Sequence, residues 1–376
     1  MVADLTELAR NALGCLDLRE DTGGGQELHV IYEASSPFKD QLARAMGEVA
    51  RGFDVKTTLL DIDEFLGGNS DDTAVEQLTR RLTYQVEDPL QRNAINMVAP
   101  QARYDNVRRR VTREALIDGS QAYVLQFPFV HQETAEAILS VDPAQAERVA
   151  LRMKADLDRA THYHLESGEG HVMEWPVNPR LVWVPSVGKV KKYSPRGPKG
   201  ESIGGWENPG CEIFTSFAVT EADHERISGS YYVDAFASGR VLKPSEAFVV
   251  RVSNGAVDLE TLQSENPNVD GKFMEELVRG FRTDEYAAHL GELGIGLMPA
   301  ISLEATRETL PLEKIGGTLH IAPGYDESDR GTGGGFAMSA AHNDLGIRQP
   351  RFDARIDGKW KTVLADGKCT YFSNAS

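Results

Sequence analysis

The sequence predicts an α+β fold in two parts: an N-terminal α/β domain over residues 1–165 and a strand-rich domain over residues 166–376 that includes helices and carries a metal site. Three observations lead there. Up to about residue 160, strand-like apolar runs alternate with stretches of helical period, as in βαβ units. Beyond it the apolar runs are short, β-prone and set off by turn residues. At 376 residues the chain is also long for one hydrophobic core.

Met1 to Leu16 has the spacing of a small amphipathic helix, and its Asp4, Glu7 and Arg10 set it apart from the basic start and apolar run of a secretory leader. Leu28 to Tyr32 reads as a strand, Pro37 to Arg51 as a helix with apolar positions at Leu42, Met46, Val49 and Ala50, and Val55 to Leu60 as the next strand. A third strand is expected at Ala122 to Phe127, with a poor strand signal in between. A helix from about Glu133 to Leu139 should follow, and Asp142-Pro143 then caps and starts another that runs to about Ala160. Gly23-Gly24-Gly25 precedes the first strand, and no Gly-x-Gly-x-x-Gly follows it, so this is a flexible lead-in and not a nucleotide cradle.

In the second part, strands are expected at His171 to Trp175, Arg180 to Val184, Glu212 to Val219, Ser230 to Ala235, Ala247 to Asn254, Leu319 to Ala322 and Lys359 to Val363. One helical region, Lys272 to Leu290, interrupts them and is read as ending at Glu292. This spacing suggests a curled sheet or incomplete barrel. No internal repeat is visible.

The net charge of −17, from 40 basic and 57 acidic residues, argues against nucleic acid as a partner, because phosphate binding needs a positive surface. No window approaches the roughly 20 apolar residues that span a bilayer. Cys15, Cys211 and Cys369 are few, odd in number and far apart, so neither a disulfide framework nor a thiolate zinc cluster is indicated. These features fit a cytoplasmic enzyme.

The chemistry concentrates near the end of the chain. In Ala341-His342-Asn343-Asp344, residues two apart on an extended segment share a face, so His342 and Asp344 can reach one ion together. Upstream, Leu319 and Ile321 should face a core and leave His320 on the other side. Glu212 heads the β-prone run Cys211 to Ser216 after the turn signal Asn208-Pro209-Gly210. Glu292 stands among apolar and glycine residues, where a carboxylate is costly to bury without a partner. A cation is a natural partner for each.

Four segments together, Glu-Ile-Phe-Thr-Ser at 212–216, Leu-Gly-Glu-Leu-Gly-Ile-Gly at 290–296, Glu-Lys-Ile-Gly-Gly-Thr-Leu-His-Ile-Ala at 313–322 and Ser-Ala-Ala-His-Asn-Asp at 339–344, resemble the aminopeptidase T family of dinuclear metallopeptidases. The resemblance runs from about residue 205 to residue 345. It implies Glu212, Glu292, His320, His342 and Asp344 as ligands of two divalent ions (zinc, cobalt or manganese), a peptide substrate and a homodimer. It also implies a catalytic tyrosine, for which the chain offers Tyr325 at a shorter interval after the histidine than is usual in the family, and Asn343 stands where the family has an aromatic residue. The implied reaction is hydrolysis of the N-terminal peptide bond, with Glu212 or Glu292 bridging the ions or moving the proton and Tyr325 facing the oxyanion. The same superfamily includes mononuclear iron dioxygenases of the 2,5-dihydroxypyridine type, in which a histidine replaces the acid at Glu292 and the equivalents of Glu212 and His320 are not ligands. Five ligands with three carboxylates favour hydrolysis over that alternative, and over a non-catalytic binding module.

Other residues have ordinary readings. His162, His164 and His171 are read as exposed or hydrogen-bonded side chains, and His289 as a helix-end histidine or a partner orienting Glu292. Gly333-Gly334-Gly335 is read as a flexible wall of the site. Residues 188–205 concentrate Lys189, Lys191, Lys192, Arg196 and Lys199 in an acidic chain and read as a solvated loop or a flap for an anionic substrate group.

Overall fold

The computed structural model describes residues 4–14, 27–32, 34–62, 64, 95–98, 123–126, 142–168, 170–187, 205–207, 211–236, 242–243, 245–298, 312–325, 336–337, 339 and 341–372. The expected helix at 133–139, the basic segment 188–204 and the triple glycine at 333–335 lie outside them. The fold is α+β and divides into two compact units, 1–140 with 188–210 and 141–187 with 211–376.

The first unit begins with α1 (Leu5–Gly14), β1 (Glu27–Tyr32), α2 (Pro37–Arg51), β2 (Lys56–Asp61), β3 (Ile95–Val98) and β4 (Tyr123–Gln126). Ser36 caps α2 and Pro37 occupies its first turn, where a missing N–H costs nothing. The helix buries Leu42, Met46 and Ala50 of the expected stripe, together with Ala43, while Val49 is half-buried. The stretch with only a poor strand signal holds β3, a four-residue parallel strand between β1 and β4.

The second unit starts with α3 (Pro143–Leu157), capped by Asp142 as expected, followed by β5 (Ala160–Ser167), β6 (His171–Pro176) and β7 (Val184–Ser186). Residues 141–165, including the helix expected in the first domain, belong to the second unit. The helix stops before Ala160 because Asp158 turns its carboxylate to the Trp183 N–H at 2.7 Å. The chain then contributes β8 (Gly205–Glu207) to the first unit, completing the parallel order β2-β1-β3-β4-β8.

It returns as β9 (Glu212–Ser216), α4 (Glu221–His224), β10 (Ser228–Val233), β11 (Ala235–Phe236), β12 (Phe248–Ser253), β13 (Ala256–Val257), α5 (Leu259–Ser264), α6 (Gly271–Gly280) and β14 (Leu290–Gly296). The last strands are β15 (Leu319–Pro323), β16 (Leu345–Ile347), β17 (Arg351–Ile356), β18 (Lys359–Ala365) and β19 (Lys368–Cys369). They form two open antiparallel sheets, β13-β12-β10-β6-β5-β17-β18-β19 and β11-β16-β15-β14-β9-β7, and no closed barrel among the described residues.

The helix expected over Lys272 to Leu290 ends at Gly280, and Glu292 is delivered by a strand. Thr283 Oγ1 donates to the Gly280 carbonyl at 2.8 Å, closing the helix, and glycine-rich Leu290–Gly296 pairs on both sides instead. Strand β17 is absent from the sequence-based expectation, although Arg351, Asp353 and Arg355 alternate with Phe352, Ala354 and Ile356 at the period of a strand.

Aromatic side chains fill the core of this unit. Tyr163 packs edge-on against Trp175 and Trp183 and accepts the Trp183 indole N–H at 2.7 Å, while Trp175 packs against Phe217 and Phe352. Two of the crossings between these sheets lie at Asp234, after β10, and at Arg348, before β17. The crossings are tied together: Asp234 accepts from both the Arg348 N–H at 3.0 Å and its Nε at 2.9 Å. Asp234→Ala removes both bonds and should lower stability by about 1–3 kcal/mol. Urea unfolding of the two proteins checks this, and an unchanged midpoint would show the crossings to be held by packing alone.

Candidate metal centre

Glu212, Glu292 and His320 stand on three neighbouring strands, β9, β14 and β15. Gly294 pairs with His320 on one side and Phe214 on the other, and Gly296 pairs with Glu212. Directly paired residues share a face, and residues two apart repeat it. Glu212, Glu292 and His320 therefore lie on one face. Ile213, Leu293, Ile295, Leu319 and Ile321 lie on the other, which is buried core.

Two glycines of β14 make room for this face. A Cβ on Gly294 would lie 1.9 Å from His320 Cε1, so the imidazole lies across the place where a side chain would stand. A Cβ on Gly296 would lie 2.1 Å from the Ile315 carbonyl oxygen and 2.7 Å from that of Glu313, so the turn at 313–315 crosses the strand there. Met298 fixes the same turn, donating to the Lys314 carbonyl and accepting from Gly316, both at 2.8 Å.

His320 is 1% exposed, and its Nε2 lies 3.1 Å from Glu292 Oε1. Burial alone would push its pKa down. The hydrogen bond to Glu292 and the charges of Asp344, Glu292 and Glu313 outweigh that and hold it at about 9. His342 and Asp344 come from the segment 341–344, which is docked against the end of β15. Tyr325 N–H donates to the Ala341 carbonyl at 2.5 Å and Asn343 N–H to that of Pro323 at 3.0 Å. His342 Nδ1 donates to the Tyr325 carbonyl at 2.7 Å, which turns Nε2 toward Asp344 Oδ1, 3.1 Å away. A backbone acceptor on one imidazole nitrogen is how ligand histidines are commonly oriented. Burial would raise the Asp344 pKa, but His342, His320 and Lys314 hold it well below the usual carboxylate range.

The structure adds two residues that the sequence reading did not single out. Glu313 joins Glu212 and His320 in one group of ligand atoms within 4.8 Å of one another, and Glu292, His320 and Asp344 form a second such group. Lys314 is 2% exposed, with Nζ 2.5 Å from Glu212 Oε1 and 3.0 Å from Glu313 Oε1. The available signal was Glu313-Lys314 itself, an ionic pair at the mouth of Ile-Gly-Gly-Thr-Leu.

Four carboxylates thus meet one lysine and the histidines. Buried His320 Nδ1 has no hydrogen-bond partner among the described residues. This excess of negative charge suits divalent cations. Tyr325 is brought to the site through its backbone, as the acceptor for His342.

The remaining histidines serve elsewhere. His164 Nδ1 lies 3.3 Å from Glu174 and His171 Nδ1 3.2 Å from Ser230. Among the described residues His162 and His164 belong to no ligand group. His289, expected on a helix beside Glu292, precedes β14 and meets His224, their Nδ1 atoms 3.2 Å apart. His224 in turn donates Nε2–H to the Leu290 carbonyl at 3.0 Å, so it steadies the strand that carries Glu292.

Neither a protein-family model nor a curated protein sequence matches the chain. Its fold is similar to that of AmpT (aminopeptidase T) from Thermus thermophilus, with a TM-score of 0.62 and 17% identity over 97% of this chain and 99% of that one. It is also similar to that of 2,5-dihydroxypyridine dioxygenase from Pseudomonas putida KT2440, with a TM-score of 0.55 and 16% identity over 97% and 96%. The fold is common to both and does not choose between them.

Two outcomes follow from this geometry. Gly294→Ala should destabilise the protein by about 1–3 kcal/mol, the usual range for overpacking, and lower its affinity for divalent ions, since the His320 ring must move. Chemical denaturation and ion binding check it; a variant equal to wild type in both would mean that the ring does not depend on the gap. The second concerns His224, whose pKa burial lowers to about 4. Below its ordinary value near 6.5 the unfolded chain takes up a proton that the folded chain refuses, so stability falls as pH drops from about 6.5 toward 4. The full loss is about 3 kcal/mol at 1.36 kcal/mol per unit. His224→Gln should be less stable at neutral pH and flatter across that window, and an unchanged slope in urea midpoints would assign the acid sensitivity to other groups.

Proposed function

We propose that the protein is a metal-dependent aminopeptidase that hydrolyses the N-terminal peptide bond of peptides. The observation that carries this reading is the pair of ligand groups on one sheet face, sharing His320 and together holding Glu212, Glu313, Glu292 and Asp344. A single iron on two histidines and one carboxylate needs three protein ligands with open positions. Four carboxylates around a shared histidine suit two hard or borderline cations. The fold likeness to AmpT agrees with this reading.

Glu292, His320 and Asp344, with His342 beside Asp344, would hold one ion, and Glu212 and Glu313 with His320 the other. Bound divalent ions of this kind, zinc, cobalt or manganese, supply an acidified water and polarise the scissile carbonyl. The chain's own groups do the rest. Tyr325 and Ala341 fix His342 in place through backbone hydrogen bonds. A carboxylate, Glu212 or Glu292, takes the proton of the attacking water and returns it to the leaving amine. The Tyr325 hydroxyl is proposed as the donor to the oxyanion. We place the acidic protein in the cytoplasm, acting on peptides as a homodimer and without a nucleic-acid or membrane partner.

Glu292→Gln keeps the shape of the side chain but removes charge that balances the ions. It should abolish release of the N-terminal amino acid from a panel of short peptides and lower metal content while leaving thermal unfolding near that of wild type. Retained turnover with unchanged metal content would remove Glu292 from the site. Oxygen consumption by the Fe(II)-loaded protein with a dihydroxypyridine, and no amino-acid release with any divalent ion, would replace the peptidase reading with the dioxygenase one.

A further inference from the structure

We propose that Lys314 makes the two ion positions unequal: its ammonium is the resident cation between Glu212 and Glu313, so that one divalent ion binds at Glu292, His320 and Asp344 and a second enters only by displacing the lysine. The inference deepens the metal-dependent reading above and rests on it.

The two carboxylates that Lys314 touches, at 2.5 and 3.0 Å, are the two carboxylates of one ligand group. The other group contains neither. The lysine side chain is 3% exposed, so its charge is satisfied inside the protein and not by water. Its backbone is held by the Met298 hydrogen bond and by the turn seated over Gly296, which leaves only the side-chain torsions free to move. An ammonium and a divalent ion cannot share the same carboxylate oxygens at contact distance without strong repulsion, least of all where water is excluded. Filling that position therefore requires Nζ to swing off both carboxylates and find other acceptors. The Glu292 group contains neither of the carboxylates that the ammonium touches.

The consequence is that the second ion is exchangeable while the first is resident. The site would alternate between a form bridged by lysine and a form with two ions according to the divalent-ion supply. A purely structural salt bridge under an equally occupied pair of ions would show no such inequality.

The test is titration of the metal-depleted full chain with Co2+, followed by calorimetry and by ion counting after dialysis. The wild type should bind one ion tightly and a second roughly tenfold or more weakly. Lys314→Met, which keeps the length of the stem and removes the charge, should bind both with similar affinity, and Lys314→Arg should keep the inequality. Glu313→Gln should abolish the weak step and leave the tight one. Two equally tight ions in the wild type, an unchanged weak step in Lys314→Met, or loss of the tight step in Glu313→Gln would each overturn the proposal. If Lys314→Met does not fold, the wild-type isotherm and Glu313→Gln decide it alone. Absence of any bound ion would overturn the metal-dependent reading itself, whereas two equal steps would overturn only the role of the lysine.

Discussion

The centre depends on a strand that lacks two side chains on one face. Strand β14 presents Glu292, Gly294 and Gly296 to the site face, and the two missing side chains are filled by the His320 ring and by the 313–315 turn. The opposite face of the same strand is Leu293 and Ile295, fully buried. The strand is thus anchored by its apolar side and hollowed on its polar side, and the hollow brings a ligand ring and a charged turn against a carboxylate. An ordinary alternating strand would offer the first property without the second, because a side chain at either glycine would meet atoms about 2 Å away.

Electrostatics then determine what the hollow can hold. Carboxylates gathered where water is largely excluded repel one another, and each buried oxygen without a donor is costly. The chain supplies part of the compensation itself. Lys314 lies against Glu212 and Glu313, and His320 is held protonated by its acidic neighbours with a pKa near 9. The proton affinity of this deeply buried imidazole is raised because its acidic neighbours outweigh desolvation, which works in the opposite direction. A cation that displaces the proton gains the same field.

How much of this was legible in the sequence depended on the scale of the signal. Pro37–Arg51 and the Asp142-Pro143 start of the next helix were readable because caps and apolar spacing are local. The candidate ligands were readable because carboxylates and histidines among apolar residues are conspicuous, and the structure brings Glu212, Glu292, His320 and Asp344 into two overlapping groups. What failed was long-range. Nothing local says that Leu290–Gly296 pairs on both sides, so it was joined to the preceding helix and Glu292 was assigned the wrong kind of element. Lys314 was passed over for the same reason, since a lysine beside a glutamate usually means a solvated surface, whereas here it is buried next to an isolated bridge between Ile315 and Met298.

The donors also differ in how firmly the fold holds them. Glu212, Glu292 and His320 ride on the middle strands of a sheet, where each backbone is paired on both sides. His342 and Asp344 ride on a short segment held by backbone bonds from Tyr325 and Asn343 and by an isolated bridge between Gly324 and His342. Three donors are therefore preorganised by the sheet, whereas two depend on the docking of that segment. An ion bound by both sets would add its bonds to the few that dock the segment, so that metal binding and local order reinforce each other. The hydrogen bond from His342 to the Tyr325 carbonyl couples the ligand to the backbone immediately after β15. Through it the residue proposed as catalytic and the ligand histidine are positioned by the same few atoms, so a disturbance of either reaches the other.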